Sequence, residues 1–308
     1  MKKKWWIPIA TFFSAIAALG IFFTNIIMFM KKKDEAVIRD RETKAKRWVP
    51  KDFDSLPKTQ VMVESPFGYK LDCLFVKPYP TNKWMIFCHG ITENKFNSIK
   101  YMNIFLKKGY NAIIYDHRRH GDSGGKTSSY GYYEKWDLEA VVKELKNREG
   151  DDVYFGIHGE SMGAATCLLY AGTISDDAAF YVADCPFSSF QEQVKYRIKE
   201  STPLPNWLVL PIGNSFLKMR DGYRLQDVSP IEVIQNIKKP VLFIHSELDT
   251  YIPVSMTKQL FEKKPGKKQL FIAPNGAHAQ SLNENPEEYE KAVDQFLKSF
   301  TSDLSRSN

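Results

Sequence analysis

Downstream of residue 57, short apolar runs that suit β-strands alternate with segments of helical periodicity, and no other feature constrains the fold as much. Strand-like runs fall at Thr59–Glu64, Lys70–Lys77, Trp84–His89, Tyr110–Asp116, Val153–His158, Phe180–Asp184, Val241–Ser246 and Lys268–Ala273. Helical patterns lie between the later runs, at Ser98–Lys108, Lys135–Arg148, Met162–Ala171, Ser255–Lys264 and Pro286–Phe300. In the second, Trp136, Leu138, Val141, Val142 and Leu145 recur at helical spacing and are expected to face the core. The order implies an α/β architecture: a mostly parallel eight-stranded sheet, helices on both faces, and the first two strands antiparallel at one edge. One interval breaks the rhythm. Asp184 and Val241 are more than fifty residues apart with no clear central strand between them, so residues 187–238 are expected to form an inserted helical lid. Its apolar stretch Leu204–Pro211, with Trp207 and Leu208 foremost, is expected to wall a binding site.

The N-terminus obeys a different rule. Trp5 to Met30 is free of charged side chains and is bracketed by Lys2–Lys4 and Lys31–Lys33. At about 1.5 Å per residue, a helix of this length exceeds the ~30 Å hydrocarbon core. Trp5 and Trp6 sit where an interfacial aromatic belt would lie. The small-x-small sequence Ala15-Ile16-Ala17 falls in mid-run with apolar residues continuing behind it, which argues against a cleaved signal peptide. The expectation is therefore a single-pass membrane anchor over residues 1–30, a basic juxtamembrane linker over 31–57 and a catalytic domain over 58–302. The heavier positive flank follows the span, which leans the catalytic domain towards the cytoplasm.

Charge supports this division. The chain has 43 Lys and Arg against 36 Asp and Glu, a formal +7. Residues 1–47 alone hold 11 basic and 4 acidic groups, so the remainder is formally neutral. A basic balance confined to the flanks of an apolar run gives no support for nucleic-acid binding. Cys73, Cys88, Cys167 and Cys185 lie in apolar runs without disulfide-framework or metal-ligand spacing, and no motif calls for a metal or an organic cofactor.

The chemistry centres on Gly159-Glu160-Ser161-Met162-Gly163, which follows a strand and opens a helix. Glycines on either side let the chain turn sharply enough to raise Ser161 Oγ above the sheet. A serine hydroxyl needs a base, and the base needs an acid to orient it. Of six histidines, only His245 and His278 follow Ser161. His245 lies within a strand-like run, whereas His278 lies in a loop just after the last one. Asp249 sits just beyond the Val241–Ser246 run, at the carboxyl edge where sites form in such sheets, with Glu247 as the fallback acid. The amides of Met162 and of Ile91, in His89-Gly90-Ile91, are the candidate oxyanion donors. His89 is expected to brace that loop, and His117-Arg118-Arg119-His120 to brace its own rather than clamp an anion.

With these motifs on view, the chain resembles the α/β-hydrolase superfamily, and within it the membrane-anchored bacterial branch related to the Bem46-like serine hydrolases. The resemblance covers about residues 58–300. It rests on Asp116-His117-Arg118-Arg119-His120-Gly121-Asp122-Ser123-Gly124-Gly125, the Ser161 motif, Ala183-Asp184-Cys185-Pro186-Phe187-Ser188-Ser189, Val228-Ser229-Pro230-Ile231 and the segment Phe243–Asp249. It implies Ser161, Asp249 and His278 as a triad, with Ile91 and Met162 as oxyanion donors. The sequence departs from many relatives at His245-Ser246, where they carry His-Gly. The expected activity is cleavage of acyl or lipid-like carboxylic esters; a peptidase or acyl-protein thioesterase would share the triad, and a membrane-tethered scaffold would not need it.

Overall fold

The computed structural model describes residues 6–301. Lys2–Lys4, Trp5 and residue 302, named above as flank, belt and domain limit, lie outside the described residues. The eight strands are β1 (Lys58–Glu64), β2 (Lys70–Val76), β3 (Lys83–Cys88), β4 (Asn111–Tyr115), β5 (Tyr154–Glu160), β6 (Phe180–Asp184), β7 (Val241–Ser246) and β8 (Lys268–Ala273). They form one sheet in the order β1-β2-β4-β3-β5-β6-β7-β8. Strands β3 to β8 are mutually parallel, and β2 runs against both of its neighbours.

Helices supply the covering layers. Before the sheet come α1 (Trp6–Met28), α2 (Glu35–Lys44) and α3 (Pro50–Ser55); α4 (Ile99–Leu106), α5 (Glu134–Glu149) and α6 (Met162–Thr173) follow β3, β4 and β5. Between β6 and β7 lie α7 (Phe190–Ser201), α8 (Asn206–Asp221) and the short α9 (Pro230–Val233). The chain finishes with α10 (Val254–Lys263), α11 (Ser281–Glu284) and α12 (Pro286–Phe300).

Strand alternation divides the core between two faces. Trp84, Ile86 and Cys88 point towards Leu138, Val141 and Leu145 of α5 and Leu168 of α6. Their neighbours Met85 and Phe87 point the other way, to Met102 and Phe105 of α4 and Val293 and Phe296 of α12. Both faces are buried, which is why these strands read as continuous apolar runs. Trp136 departs from the expectation: it is 45% exposed, while Leu138, Val141, Val142 and Leu145 are buried. Two residues before Leu138 on a helix lies nearly the opposite side.

Residues 31–57, expected to form a basic juxtamembrane linker, include α2 and α3 and pack on the body. Ile38, Trp48 and Phe53 are buried against Phe96 and Ile99, with Trp48 stacked on Phe96 at 5.8 Å between ring centres. Arg41 grips Glu93 with both terminal nitrogens, at 3.1 and 3.0 Å, and reaches Asn97 at 2.8 Å. Three apolar anchors and a half-buried ion pair thus fasten the segment to the loop after β3.

Among the described residues, α1 is the one helix long and apolar enough to cross a membrane. Its N-terminal half is bare, with Trp6, Ile7, Phe12 and Phe13 exposed. Its C-terminal half is packed on α8. A methyl at Gly20 would overlap the Phe216 ring, and a methyl at Gly213 would overlap the Phe23 ring, so each helix offers a glycine to the other's phenylalanine. Arg220 of α8 adds hydrogen bonds to Thr24 Oγ1 and, at 2.7 Å, to Asn25 Oδ1.

Candidate active site

The turn between β5 and α6 is strained and held from below. Ser161 has φ 57° and ψ −114°, a conformation that non-glycine residues rarely adopt and that persists only where surroundings impose it. Gly159 faces the Gly163 carbonyl, and Gly163 faces the Cys88 and His89 carbonyls, so closely that no side chain fits at either position. The Ser161 amide donates to the Asp184 carbonyl at 2.8 Å, tying the turn to β6.

Ser161, Asp249 and His278 stand on three different strand ends along the carboxyl edge of the sheet, and the fold brings them into contact. Ser161 Oγ lies 2.8 Å from His278 Nε2, and His278 Nδ1 lies 2.7 Å from Asp249 Oδ2. The carboxylate can only accept, so Nδ1 carries the proton and Nε2 presents its lone pair to the serine hydroxyl. Asp249 Oδ1 accepts from the amides of Tyr251 and Ile252, at 2.8 and 2.9 Å. Burial alone would raise the Asp249 carboxyl, but hydrogen bonds from His245 and His278 outweigh it and hold the group well below the usual carboxylate range. Glu247, the fallback acid, instead faces Lys258 at the surface.

Its place inside β7 argues against His245 as the base. It is nevertheless part of the site: its Nε2 lies 3.1 Å from Asp249 Oδ2 and 2.9 Å from the Ile252 carbonyl, while Nδ1 meets Thr257 Oγ1 at 2.7 Å. It positions the acid and the loop behind it. The spacing of four residues between His245 and Asp249, across a strand end, was the available signal.

Met162 is the first residue of α6, where an amide has no acceptor within its own helix. Ile91 lies beside Ser161 at the end of β3. Its loop is stapled by histidines: His89 Nδ1–H donates to the Gly90 carbonyl at 2.7 Å, His89 Nε2 accepts from the His117 amide at 3.0 Å, and His120 Nε2 reaches the Ile91 carbonyl. Burial and the neighbouring His120 push His89 down to about 3, so it stays neutral. The adjacent loop is held by its own contacts, although both His117 ring nitrogens and Arg118 Nε and Nη1 are buried without a hydrogen-bond partner. Asp116 binds the Lys95 ammonium at 2.6 Å and the Asp122 amide at 3.2 Å, Arg118 lies over Tyr133, and Arg119 donates to the Met30 carbonyl at the end of α1.

Among the described residues, two sets of side chains have metal-type donors close together. In Cys185, Asp249 and His278, the last two are bonded to each other. In Asp72, Asp116 and Asp122, the Lys95 ammonium takes the cation's place, 2.9 Å from Asp72 and 2.6 Å from Asp116.

A buried acidic pair sits under the nucleophile. Burial works against the Glu160 carboxylate, yet Lys100, Tyr101 and Asn97 outweigh it and hold the group below its usual range. Asp184 has weaker partners, the Tyr101 and Ser281 hydroxyls at 3.4 and 3.3 Å; burial, reinforced by the charge of Glu160, prevails and raises it to about 7. A folded-state value above the unfolded one makes the stabilising contribution complete below about pH 4, and that contribution is lost as pH rises through about 7. Thermal stability of the wild type should therefore decline from pH 5 to pH 8 relative to Asp184→Asn, by up to about 3 kcal/mol. Parallel melting curves for the two proteins across that interval would refute the assignment.

Two cavities meet at Ser161. One, of about 310 Å³, is apolar and lined by Met162, Phe187, Phe190, Val194 and Val209 of the body and by Phe23 and Ile27 of α1. The other, of about 430 Å³, is polar and lined by Lys33, Arg41, Asn97, Lys100, Glu160 and His278. Trp207 and Leu208 are on neither wall. Trp207 is 76% exposed, and Val209, two residues on and so on the opposite side of α8, faces the cavity with Leu204. Of the apolar run, helical phase turns Val209 rather than Trp207 or Leu208 to the cavity.

A strained serine at a strand-to-helix turn, on the carboxyl edge of an eight-stranded sheet with one antiparallel member, defines an α/β-hydrolase. The chain belongs to that superfamily: the family model described as alpha/beta hydrolase fold matches residues 83–230. Over 296 residues it is 51% identical to the uncharacterized protein YqkD of Bacillus subtilis, covering 96% of this chain and 97% of that one. The esterase Pf2001 of Pyrococcus furiosus superposes with a TM-score of 0.67 at 28% identity, covering 83% of this chain and 97% of that one. The lysophosphatidylserine lipase ABHD12 of Macaca fascicularis is 27% identical over 188 residues, which is 58% of this chain and 44% of the lipase.

Proposed function

We propose that this protein is a membrane-anchored serine hydrolase that cleaves carboxylic esters, acyl or lipid-like, through an acyl-enzyme. The observation that carries the reading is the continuous hydrogen-bonded chain Ser161–His278–Asp249 at the junction of an apolar and a polar cavity. Ser161 Oγ attacks the ester carbonyl while His278 Nε2 takes its proton. The oxyanion forms against the amides of Ile91 and Met162. His278 returns the proton to the departing alcohol, and Asp249 stabilises the imidazolium between the two transfers. Water then attacks the acyl carbonyl, deprotonated by the same imidazole, and the free acid leaves.

An apolar cavity for the acyl part and a polar one for the alcohol part suit an ester with one greasy and one hydrophilic end. The lipase and esterase relatives support that substrate class. Helix α1 supports the anchoring, and the lysine-rich segment after it favours a cytoplasmic catalytic domain. A p-nitrophenyl ester panel tests the function. Wild type should turn over butyrate and laurate esters faster than aminoacyl p-nitroanilides, and Ser161→Ala should lose on the order of 10⁶ in turnover of the esters. Preference for the anilides would make the protein a peptidase.

A further inference from the structure

The apolar helix at the N-terminus does more than its composition requires. Leu19, Phe22, Phe23, Ile26, Ile27 and Met30 all line the apolar cavity that ends at Ser161. Ile27 is buried in it, whereas Phe22 and Ile26 are 65% and 49% exposed, so they belong to its rim. Across from them the rim is completed by Ser201, Thr202 and Leu204, in the connection from α7 to α8. The mouth of the cavity therefore lies between α1 and the lid.

Helix length sets the depth of that mouth. Residues 6–18 of α1, ahead of the first cavity-lining side chain, rise only about 20 Å. A hydrocarbon core of ~30 Å needs roughly another 10 Å of helix. That is the stretch from Leu19 to about Phe23–Asn25, already packed on α8. The lid surface agrees: Leu204, Trp207 and Met219 expose 41%, 76% and 71% of their area on and beside α8. Trp207, which lines no cavity, is the kind of side chain that settles at a membrane interface.

We propose that α1 is one wall of the acyl-chain site, and that the site opens sideways into the near leaflet to take a single-chain acyl ester directly from the bilayer. The proposal rests on the hydrolase reading for the identity of the reacting bond. The carbonyl stops at Ser161, the chain lies back along Phe23 and Ile27 towards the lipid, and the alcohol part occupies the polar cavity beyond. At about 30 Å³ for each water-sized unit, the 310 Å³ cavity holds a chain on the order of ten methylenes.

The test uses the full-length protein in phosphatidylcholine nanodiscs. Ile27→Trp fills the cavity from the α1 side, and Ile26→Trp obstructs its rim at a half-exposed position that tolerates a larger side chain. Each should lower the ratio of kcat/KM for p-nitrophenyl laurate over p-nitrophenyl butyrate by at least about ten-fold. Ile9→Trp, on the bare face of α1, should leave that ratio unchanged. A second readout needs no turnover: a twelve-carbon diazirine fatty acid in the same nanodiscs, with Ser161→Ala, should photolabel the peptide carrying Phe190 and Val194. Ile27→Trp should suppress that labelling. Labelling suppressed in this way without ester turnover would sustain the site and end the hydrolase reading. Turnover with an unchanged chain-length ratio in both tryptophan variants would end the proposal and leave the hydrolase reading standing.

Discussion

Ser161→Ala, His278→Ala and the double variant are expected to lose the same factor in kcat, on the order of 10⁶. The 2.8 Å contact between Ser161 Oγ and His278 Nε2 makes the two groups one device. Without the imidazole, the hydroxyl retains its proton and is a poor nucleophile; without the hydroxyl, the imidazole has nothing to activate. Losing the second group therefore costs nothing further. A residual rate above that of water, about 10³–10⁴-fold, should survive in all three proteins, because the amides of Ile91 and Met162 and the cavities remain. Rates on p-nitrophenyl butyrate at saturation check the point. Losses that multiply in the double variant would mean that the two residues act in separate steps.

The second large effect is at Asp249, where replacement by Asn should lower kcat by about 10⁴ with little change in fold. Oδ1 is committed to the amides of Tyr251 and Ile252, so the Asn oxygen takes that place and its NH₂ turns to His278. The imidazole must then present a lone pair at Nδ1 and carry its proton at Nε2, where it cannot accept from Ser161. His245 Nε2, 3.1 Å from the same carboxylate oxygen, loses an acceptor as well. The wild-type carboxylate lies well below its usual range, so the ionised form persists through any assay above about pH 4. Its stabilising contribution is present above the unfolded value of about 4 and is lost as pH falls through the lower folded one. A wild-type profile that lost activity through Asp249 protonation near pH 5 would contradict this.

The sheet was legible in the sequence for a specific reason. Strands β3 to β7 are buried on both faces, so their runs are mostly apolar, and residues such as Phe180–Asp184 and Val241–Ser246 begin and end where the structure places them. The site residues were legible because chain order and the carboxyl edge left few candidates: Ser161, Asp249 and His278 meet at the distances given above. What escaped was whatever depends on a partner distant in sequence. The docking of α2 and α3 rests on Ile38, Trp48 and Phe53, which are too sparsely spaced in a charged segment to announce a core face. His245 is defined by the acid it touches, not by its strand. Within the lid, Trp207 drew attention by size, whereas helical phase gave the wall to Val209.

The dual role proposed for α1 has no sequence signature at all. A membrane span and an acyl-cavity wall demand the same residues, so Phe22, Phe23, Ile26 and Ile27 satisfy both readings at once. Only the packing of Gly20 on Phe216 and of Phe23 on Gly213 distinguishes a helix fused to the lid from one that merely tethers it.

The central claim is that Ser161 becomes acylated, and trapping that covalent bond tests it most directly. Full-length protein in nanodiscs would be treated with an alkyl fluorophosphonate, digested and mapped by mass spectrometry. The account predicts one stoichiometric adduct on the Ser161 side chain, abolished in Ser161→Ala and slowed by orders of magnitude in His278→Ala. An adduct on another residue, or labelling that survives in Ser161→Ala, would contradict it.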